Sequence, residues 1–391
     1  MFSVYIHVPF CARRCQYCDF ITYAGMLDLL PAYVNAAAGE LSRLGIAAGK
    51  GAAPADTVYF GGGTPSLMNA RQVGFLLDAT SRAFGIEPGA EISLEANPGT
   101  LNLEKLEGFR AGGVNRLSLG IQSFSEAELA LLGRSHSRRE AEESIRWARQ
   151  AGFEQISLDL IFGLPGQSLD AWRKTLLEAL QYYPQHLSVY SLIVEEGTPL
   201  EKQIANGRLP KPDDDQAADM YELTQQLLAE AGYTQYEISN WALDERSESR
   251  HNKAYWKTTP YLGIGAGAHS FARAWRTENV PGIAEYCARI ANWSEDLAFP
   301  LSAANSQRTE LDLRTQMQEC MLLGLRLTRE GVSLAEFSRR FGLDAREVFA
   351  VEIRRLQQRQ LIEFAQFPDG PHIRLTRKGI IVGNQAFMEF V

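Results

Sequence analysis

The chain has 391 residues, of which 45% are hydrophobic, and its formal net charge is −8 at pH 7. This length can bury a sizeable core, so we expect one large domain and a smaller one. The acidic balance argues against a general binder of nucleic acid or of membrane surfaces. No apolar run approaches the roughly 20 residues that span a bilayer, and the N-terminus shows no secretory signal. We therefore expect a cytoplasmic protein with no transmembrane segment.

Strands and helices are predicted to alternate about six times before residue 230. The predicted strands are 3–8, 57–60, 91–95, 114–120, 155–161 and 186–192, and helices are predicted between them, including 28–47, 69–84 and 138–150. Such alternation predicts an α/β fold with a parallel sheet and right-handed crossovers. Six units rather than eight indicate an open, partial (β/α)6 barrel. Its functional site is expected at the carboxyl ends of the strands.

The pattern changes at about residue 307. The predicted elements there are helices over 309–326, 333–341 and 345–359 and short strands over 361–364 and 372–376. This order resembles a winged helix, an α+β arrangement. Residues 307–391 contain 13 Lys and Arg against 11 Asp and Glu, a net charge of +2 without a concentrated basic stripe, so a packing or docking role is favoured over DNA binding. We divide the chain into a barrel (1–230), an extension or connector (231–306) and this C-terminal region (307–391).

Three of the five cysteines lie within eight residues, as Cys11, Cys15 and Cys18 in the spacing C-x3-C-x2-C. Three thiolates can hold three irons of a [4Fe–4S] cluster. The remaining iron could then bind the amine and carboxylate of S-adenosylmethionine (SAM). Zinc is the main alternative, but a structural zinc site usually has four ligands in paired spacing, and no second pair is present. Cys287 and Cys320 carry no motif and are predicted to be free thiols, which fits a reducing compartment.

Other candidate residues follow the predicted strands or interrupt them. The glycines of Gly61–Pro65 would let a ligand approach the backbone, whose N–H groups can bind a carboxylate. Glu95 ends a strand on the same face, while Gln122 and Asp159 are polar groups at positions predicted to be partly buried, where they need partners. Arg134 could bind a carboxylate. For each of these residues a purely structural or surface role is the alternative.

A second dense cluster spans Arg250–Trp256 and contains His251, Tyr255 and Trp256. Histidine is a common axial ligand of haem iron, and aromatic side chains can stack on a porphyrin. A single histidine near aromatic residues is more often a packed one, so the pattern alone leaves both interpretations open.

Taken together, these residues resemble the radical SAM family of oxygen-independent coproporphyrinogen III oxidases and their relatives, over nearly the whole chain. The resemblance implies that Cys11, Cys15 and Cys18 bind a [4Fe–4S] cluster. It also implies a set of SAM contacts, which fall on Tyr5, the backbone near Tyr17, Gly62, Gly63, Thr64, Glu95, Gln122, Arg134 and Asp159.

The family has two branches, and this chain resembles the haem chaperones more than the oxidases. The oxidases have a longer N-terminal segment and a fourth cysteine two residues after the third. Here ten residues precede Cys11, and the fourth position is Phe20. The segment Tyr236–Asn240 and the HNxxYW sequence that begins at His251 resemble the chaperone branch.

The chaperone branch implies a protein that binds haem and delivers it to acceptor haemoproteins. His251 is then the candidate haem ligand, with Tyr255 and Trp256 lining the site. The alternative is an enzyme that uses radical SAM chemistry to convert coproporphyrinogen III into protoporphyrinogen IX. The resemblance leaves open whether the protein is an enzyme, which acceptor it serves, whether haem is bound covalently and whether the protein forms a homodimer.

Overall fold

The computed structural model describes residues 2–49 and 53–391. Met1 and residues 50–52, which belong to the predicted barrel region, lie outside the described residues. Six parallel strands pair in sequence order, each with the next along the chain. They are β1 (Ser3–Val8), β2 (Ala55–Gly62), β3 (Ile86–Ala96), β4 (Arg116–Gln122), β5 (Gln155–Phe162) and β6 (His186–Ser191). The predicted parallel, partial barrel is confirmed.

Helices follow the parallel strands and cover the outside of the barrel. They are α1 (Leu30–Ala48), α2 (Ala70–Phe84), α3 (Leu103–Ala111), α4 (Glu126–Leu132), α5 (Arg138–Gln150), α6 (Leu169–Gln181), α7 (Pro199–Ala205) and α8 (Asp214–Glu230). Most begin at a side-chain cap that accepts a bond from the first turn; Ser137, for example, forms a capping box with Glu140. These caps satisfy backbone N–H groups that the helix itself leaves unpaired.

Alternate side chains along the parallel strands form two different surfaces, because successive residues of a strand point to opposite faces. One set is apolar and fully buried in the core with the helices, as Phe60 and Leu158 show. The other set is polar or aromatic and lines a cavity inside the barrel, as Tyr5, Glu95 and Asp159 do. The inward face of the sheet therefore carries the side chains that could bind a ligand, while the outward face packs against the helices and stabilises the fold.

The sheet continues beyond both edges of the parallel barrel. The added strands are β7 (Thr234–Glu237), β8 (Asn240–Ala242), β9 (Tyr261–Ile264), β10 (His269–Ala272), β11 (Trp275–Asn279) and β12 (Asn305–Glu310). Strand β8 pairs with β6 and β7 with β8, while β9 pairs with β1 and β10 to β12 follow it outward. Helices α9 (Arg250–Trp256) and α10 (Ile283–Ala291) belong to the same stretch of chain. Within the described residues the order runs from β12 to β7 without closing.

Two details differ from the sequence-based predictions. The helix predicted over 309–326 begins only at Leu313, because the preceding residues pair with β11 as an edge strand. The helix predicted over 345–359 is divided at Phe349, whose backbone leaves helical geometry with φ of −118°. The Phe349 ring is buried in the C-terminal core. Packing of this ring and pairing across the sheet are long-range effects that helical periodicity does not contain.

The C-terminal unit has a hydrophobic core of its own. Its elements are α11 (Leu313–Gly324), β13 (Val332–Ser333), α12 (Leu334–Phe341), α13 (Ala345–Val348), α14 (Ala350–Gln358), β14 (Ile362–Phe367), β15 (Gly370–Leu375), α15 (Arg377–Ile381) and α16 (Gly383–Phe387). The strand order β13-β15-β14 with the preceding helices matches the predicted winged-helix-like arrangement. Ile238, in the turn between β7 and β8, packs against this core and donates its N–H to the Arg326 carbonyl at 3.2 Å.

Candidate functional site

The three clustered cysteines lie on the loop that follows β1, and all three line the barrel cavity. A short parallel bridge between Phe10–Cys11 and Tyr23–Ala24 closes this loop. All three thiols are free, and burial raises the pKa of Cys11 and Cys18. A bound metal centre would be needed to hold such buried sulfurs as thiolates.

The spatial arrangement of the three thiols bears on which metal centre they could hold. In the part of the chain that the structure describes, no three His, Cys, Asp or Glu side chains converge on one ion position. A structural zinc ion requires such convergence. In an iron–sulfur cluster each thiolate binds a different iron, so the sulfurs need not point at one centre. The loop geometry is therefore compatible with the cluster that the spacing predicts.

Arg134 lies beside the cysteine loop and has a free donor. Its Nη1 donates to the Cys15 Sγ at 3.3 Å, and its Nη2 donates to the Gly120 carbonyl at 2.8 Å. Its Nε is buried and has no hydrogen-bond partner among the described residues. A buried donor without a partner costs free energy. A ligand carboxylate in the cavity would satisfy it, so this residue fits the amino-acid end of SAM.

The glycines after β2 are required by close packing as well as by the cavity. Gly62 has φ of +110°, and a Cβ there would lie 2.6 Å from the His7 ring. A Cβ on Gly63 would lie 2.6 Å from the Phe10 carbonyl oxygen. A side chain at Gly62 would displace the His7 ring, and one at Gly63 would push the start of the cysteine loop away from the strand. The motif therefore keeps the loop and the ligand-facing backbone close together.

The His7 side chain contacts the backbone of the cysteine loop. Its Nε2 is 3.0 Å from the Ile21 carbonyl oxygen, and its Nδ1 is 3.1 Å from the Tyr5 hydroxyl. Tyr5 lines the cavity, and its ring stacks beside that of Tyr59 at 6.1 Å between centroids. Gln122, which also lines the cavity, has φ of +67°, a strained value for a residue that is not glycine. Such strain is common where a side chain is held for a ligand.

Glu95 is a buried carboxylate at the floor of the cavity. It accepts hydrogen bonds from the Tyr59 hydroxyl at 2.8 Å and from the Gly62 N–H at 3.1 Å. Burial raises its pKa to about 7, and the nearby carboxylate of Asp159 contributes in the same direction. A cationic group beside Glu95 would stabilise the ionised form and lower this pKa. Glu95 is thus suited to bind the ammonium of an amino-acid ligand.

Asp159 is held by a chain of polar residues that the sequence analysis did not identify. Its carboxylate accepts hydrogen bonds from Ser118 at 2.8 Å and Ser157 at 3.2 Å. The Ser157 hydroxyl is 2.7 Å from the His186 Nδ1, and the His186 Nε2 is 2.9 Å from the Tyr236 hydroxyl. The available signal was polar residues at alternate positions of otherwise apolar strands, which indicates an inward-facing polar surface.

His251 is completely buried, and both of its ring nitrogens have partners. Its Nδ1 is 2.6 Å from the Thr57 hydroxyl, and its Nε2 is 2.9 Å from the Tyr255 hydroxyl. Its ring stacks on Tyr59 at 4.8 Å between centroids. Burial lowers its pKa to about 3, so the imidazole is neutral near pH 7. Both His251 and Tyr255 line the cavity, but iron could bind His251 only after one hydrogen bond breaks.

Trp256 faces away from the groups described above. The Arg326 guanidinium lies 4.2 Å from the centroid of its ring, a cation–π contact with the C-terminal unit. Its Nε1 is buried without a partner among the described residues. The sequence predicts Trp256 beside His251 and Tyr255 in a haem site. In the structure His251 and Tyr255 share one side of the short helix α9 and contact each other, whereas Trp256 lies on another side of the helix and contacts Arg326.

One cavity of about 510 Å3 unites the predicted cofactor residues, a size typical of small-molecule sites. Its lining includes all three clustered cysteines and every residue predicted to contact SAM, together with His251 and Tyr255. The structure thus brings together groups that are up to 250 positions apart in the chain, from Tyr5 on β1 to Tyr255 on α9. The donor types fit both the cluster and SAM.

Buried neutral histidines should make the fold sensitive to acid. In the unfolded chain the pKa of His251 would lie near the ordinary histidine value of about 6.5, whereas burial in the fold lowers its pKa to about 3. Because the unfolded state binds the extra proton, stability is lost as pH falls below about 6.5. At pH 5.5 the loss from this one group is about 1.4 kcal/mol relative to pH 7.5. We expect His251→Asn to lose correspondingly less stability over this interval in urea unfolding of the cofactor-free protein.

Tyr255→Phe is the matched control, because it removes the hydroxyl bound to His251 but leaves the imidazole in place. It should retain the full loss of stability between pH 7.5 and 5.5. An unchanged pH dependence in His251→Asn would contradict the buried, neutral state of His251.

Comparison with known proteins relates the site to a family. Residues 5–179 match the Radical SAM superfamily, and residues 311–382 match the HemN C-terminal domain. The chain is 38% identical to the heme chaperone HemW of Bacillus subtilis over all of this chain and 99% of that protein. It is 34% identical to the heme chaperone HemW of Lactococcus lactis, over all of this chain and 97% of that protein.

A solved structure gives the same result for the fold. Coproporphyrinogen III oxidase (HemN) from Escherichia coli, described as a radical SAM enzyme, superposes with a TM-score of 0.82 at 23% identity. The superposition covers all of this chain and 89% of the other. Fold and domain content together define a radical SAM protein. The identity over the full length shows further that the chain belongs to the HemW family. No helix among the described residues is long and apolar enough to cross a membrane.

Proposed function

We propose that this protein binds haem and delivers it to acceptor haemoproteins. The observation that carries the proposal is the 38% identity, over the whole chain, to a protein named as a heme chaperone. The similarity to the oxidase concerns the fold alone. Phe20 supports the same choice, because it stands where the resemblance expects the oxidases to have a fourth cysteine.

The cofactor proposal follows from the chemistry of the cavity. Cys11, Cys15 and Cys18 would hold a [4Fe–4S] cluster, which when bound supplies one-electron chemistry next to SAM. Arg134 would bind the SAM carboxylate through its unpaired Nε, and Glu95 would bind the ammonium. Asp159, kept in place by its serine partners, would accept a hydrogen bond from a hydroxyl group of the SAM ribose.

The remaining regions receive supporting roles in the proposal. Because both His251 nitrogens already have partners, we assign His251 and Tyr255 to the cavity wall rather than to iron ligation. Trp256 would help to dock the C-terminal unit through Arg326. In this scheme the barrel (1–230) carries the cofactors, 231–306 extends its sheet, and 307–391 is a packing or docking module.

We expect the cluster-reconstituted protein to bind haem and SAM without forming protoporphyrinogen IX. The test is anaerobic incubation with SAM, reductant and coproporphyrinogen III, read out as 5′-deoxyadenosine and protoporphyrinogen. A parallel sample loaded with haem is mixed with the haem-free form of a b-type cytochrome, and transfer is followed by the spectrum of the cytochrome. Multiple turnovers to protoporphyrinogen would show an oxidative decarboxylase and overturn the proposal, as would a failure to bind haem.

A further inference from the structure

We infer that haem lies across the mouth of the barrel cavity, with its macrocycle against Phe20 and Ile193 and its propionates directed toward Arg13 and Arg14. This inference rests on the proposed haem-binding function and gives it a location. The family resemblance pointed instead to the HNxxYW segment. The structure favours the mouth for three reasons: the solvent exposure of its apolar side chains, the charges around it, and the hydrogen bonds that already engage the nitrogens of His251.

Two exposed apolar side chains line the cavity. Phe20 is 64% exposed and Ile193 is 67% exposed, and both line the cavity. Phe20 follows the last cysteine after β1, whereas Ile193 lies just beyond the end of β6. Since β1 and β6 are the first and last strands of the parallel set, these side chains come from opposite sides of the barrel opening. Water-exposed side chains of this size gain free energy when a flat apolar ligand covers them.

This exposed apolar surface is continuous with an apolar part of the cavity wall. Ile161 belongs to a small buried cluster at the ends of β5 and α4, and Tyr17 and Leu192 pack against it. All three residues line the same cavity as Phe20 and Ile193. The apolar surface therefore runs from the outer rim down one wall, and a macrocycle placed there would contact it over a broad area.

Charged side chains are distributed unevenly around the cavity. Arg13 and Arg14 are exposed and line the cavity on the side of the cysteine loop. Arg14 uses Nη2 to donate to the Cys18 carbonyl at 3.1 Å, which leaves its other donors available. On the same loop Asp19 offsets one of the two positive charges, whereas on the β6 side Glu195 lines the cavity. Because both propionates of haem lie on one edge, this asymmetry favours the edge that faces the two arginines.

The interior of the cavity suits a different ligand from haem. The carboxylates of Glu95 and Asp159 line the interior, and the Nε of Arg134 is buried without a partner among the described residues; an apolar macrocycle would desolvate these groups and offer them no new hydrogen bond. They match the polar ends of SAM instead. His251 is already bound at both nitrogens. The mouth is thus the part of the cavity whose surface matches a porphyrin.

The apolar contact is tested by replacing both rim residues with serine in the full-length, cluster-reconstituted protein. We expect Phe20→Ser combined with Ile193→Ser to weaken haem binding at least tenfold in a Soret-band titration, with SAM binding and iron content unchanged. Ile46→Ser is the matched control. Ile46 is 75% exposed near the end of α1, away from the cavity lining, and this variant should bind haem like the wild type.

The outcomes separate the inference from the proposed function. If the wild type binds no haem, the haem-chaperone proposal fails. If the wild type binds haem and the double variant binds it equally well, the location at the mouth is wrong while the function stands. Metal-free protoporphyrin IX provides a second probe. It should lose affinity in the double variant as well, because the contact is with the ring rather than the iron, and an unchanged affinity would overturn the stacking arrangement.

The orientation is tested with the two arginines. Arg13→Gln combined with Arg14→Gln should weaken binding of haem at least fivefold but leave binding of haem dimethyl ester unchanged, because esterification removes the propionate charges. Equal weakening of both ligands would contradict propionate binding at these residues. Iron and sulfide content is measured in parallel, since Arg14 contacts the cysteine loop.

Discussion

Replacing Cys11 by alanine is expected to abolish the iron–sulfur cluster. Cys11 is a buried thiol at the start of the loop, within 3.6 Å of the Thr64 hydroxyl, and the two remaining thiolates would hold only two irons of the cluster. Iron and acid-labile sulfide should fall from about four of each per chain to near zero after anaerobic reconstitution. The visible absorbance and the EPR signal of the reduced cluster should disappear with them.

Cys287→Ala is the control for this experiment. Cys287 is also a free, half-buried thiol, but it lies on α10, outside the cavity lining. Its removal should leave the iron and sulfide content unchanged. A Cys11→Ala protein that keeps the full content would refute the assignment of the cluster to this loop. Loss of iron from both variants would indicate that assembly depends on overall folding rather than on the loop.

Replacing Glu40 by alanine is expected to cause a large loss of stability. Glu40 lies within the buried stripe of α1, is fully buried and accepts four hydrogen bonds. The donors are the Gly265 N–H at 3.0 Å, the Asn279 amide at 3.0 Å, the Tyr286 hydroxyl at 2.6 Å and the Ser302 hydroxyl at 2.7 Å. Removal of the carboxylate leaves all four donors buried and unpaired. We expect a loss of at least about 3 kcal/mol in the free energy of unfolding.

Glu40→Gln keeps the prediction measurable if the alanine variant fails to fold. Glutamine preserves the shape, but its NH2 group must face two of the donors, so a smaller loss, of about 2 kcal/mol, is expected. Glu107→Ala is the control, because Glu107 is an exposed residue of α3 and such changes usually fall within about 0.5 kcal/mol. Urea unfolding followed by fluorescence compares all three variants. Wild-type stability of Glu40→Ala would show that the four contacts do not anchor α1 to the extended sheet.

Glu40 also shows where prediction from sequence reached its limit. The helix that contains it was predicted over 28–47 and is observed over Leu30–Ala48, yet nothing in the local sequence distinguishes a buried carboxylate from an exposed one. Its four partners lie more than 220 positions away in the chain. They are a backbone N–H in the loop after β9, a side chain on β11, a side chain on α10, and Ser302 itself. The same holds for His251, whose partner Thr57 is 194 positions distant.

The sequence by itself determined the six parallel strands, the winged-helix-like end and the cysteine loop. Each of these features follows from residues that are close together in the sequence. The signals are the alternation of apolar segments, the glycines after strands and the spacing of Cys11, Cys15 and Cys18. The tertiary structure alone decided that β7 to β12 extend both edges of the sheet. It also decided that Trp256 packs on Arg326 and that Phe20 and Ile193 flank the cavity. These facts depend on contacts between distant segments, whose energies arise only when the chain is folded and water is excluded between them.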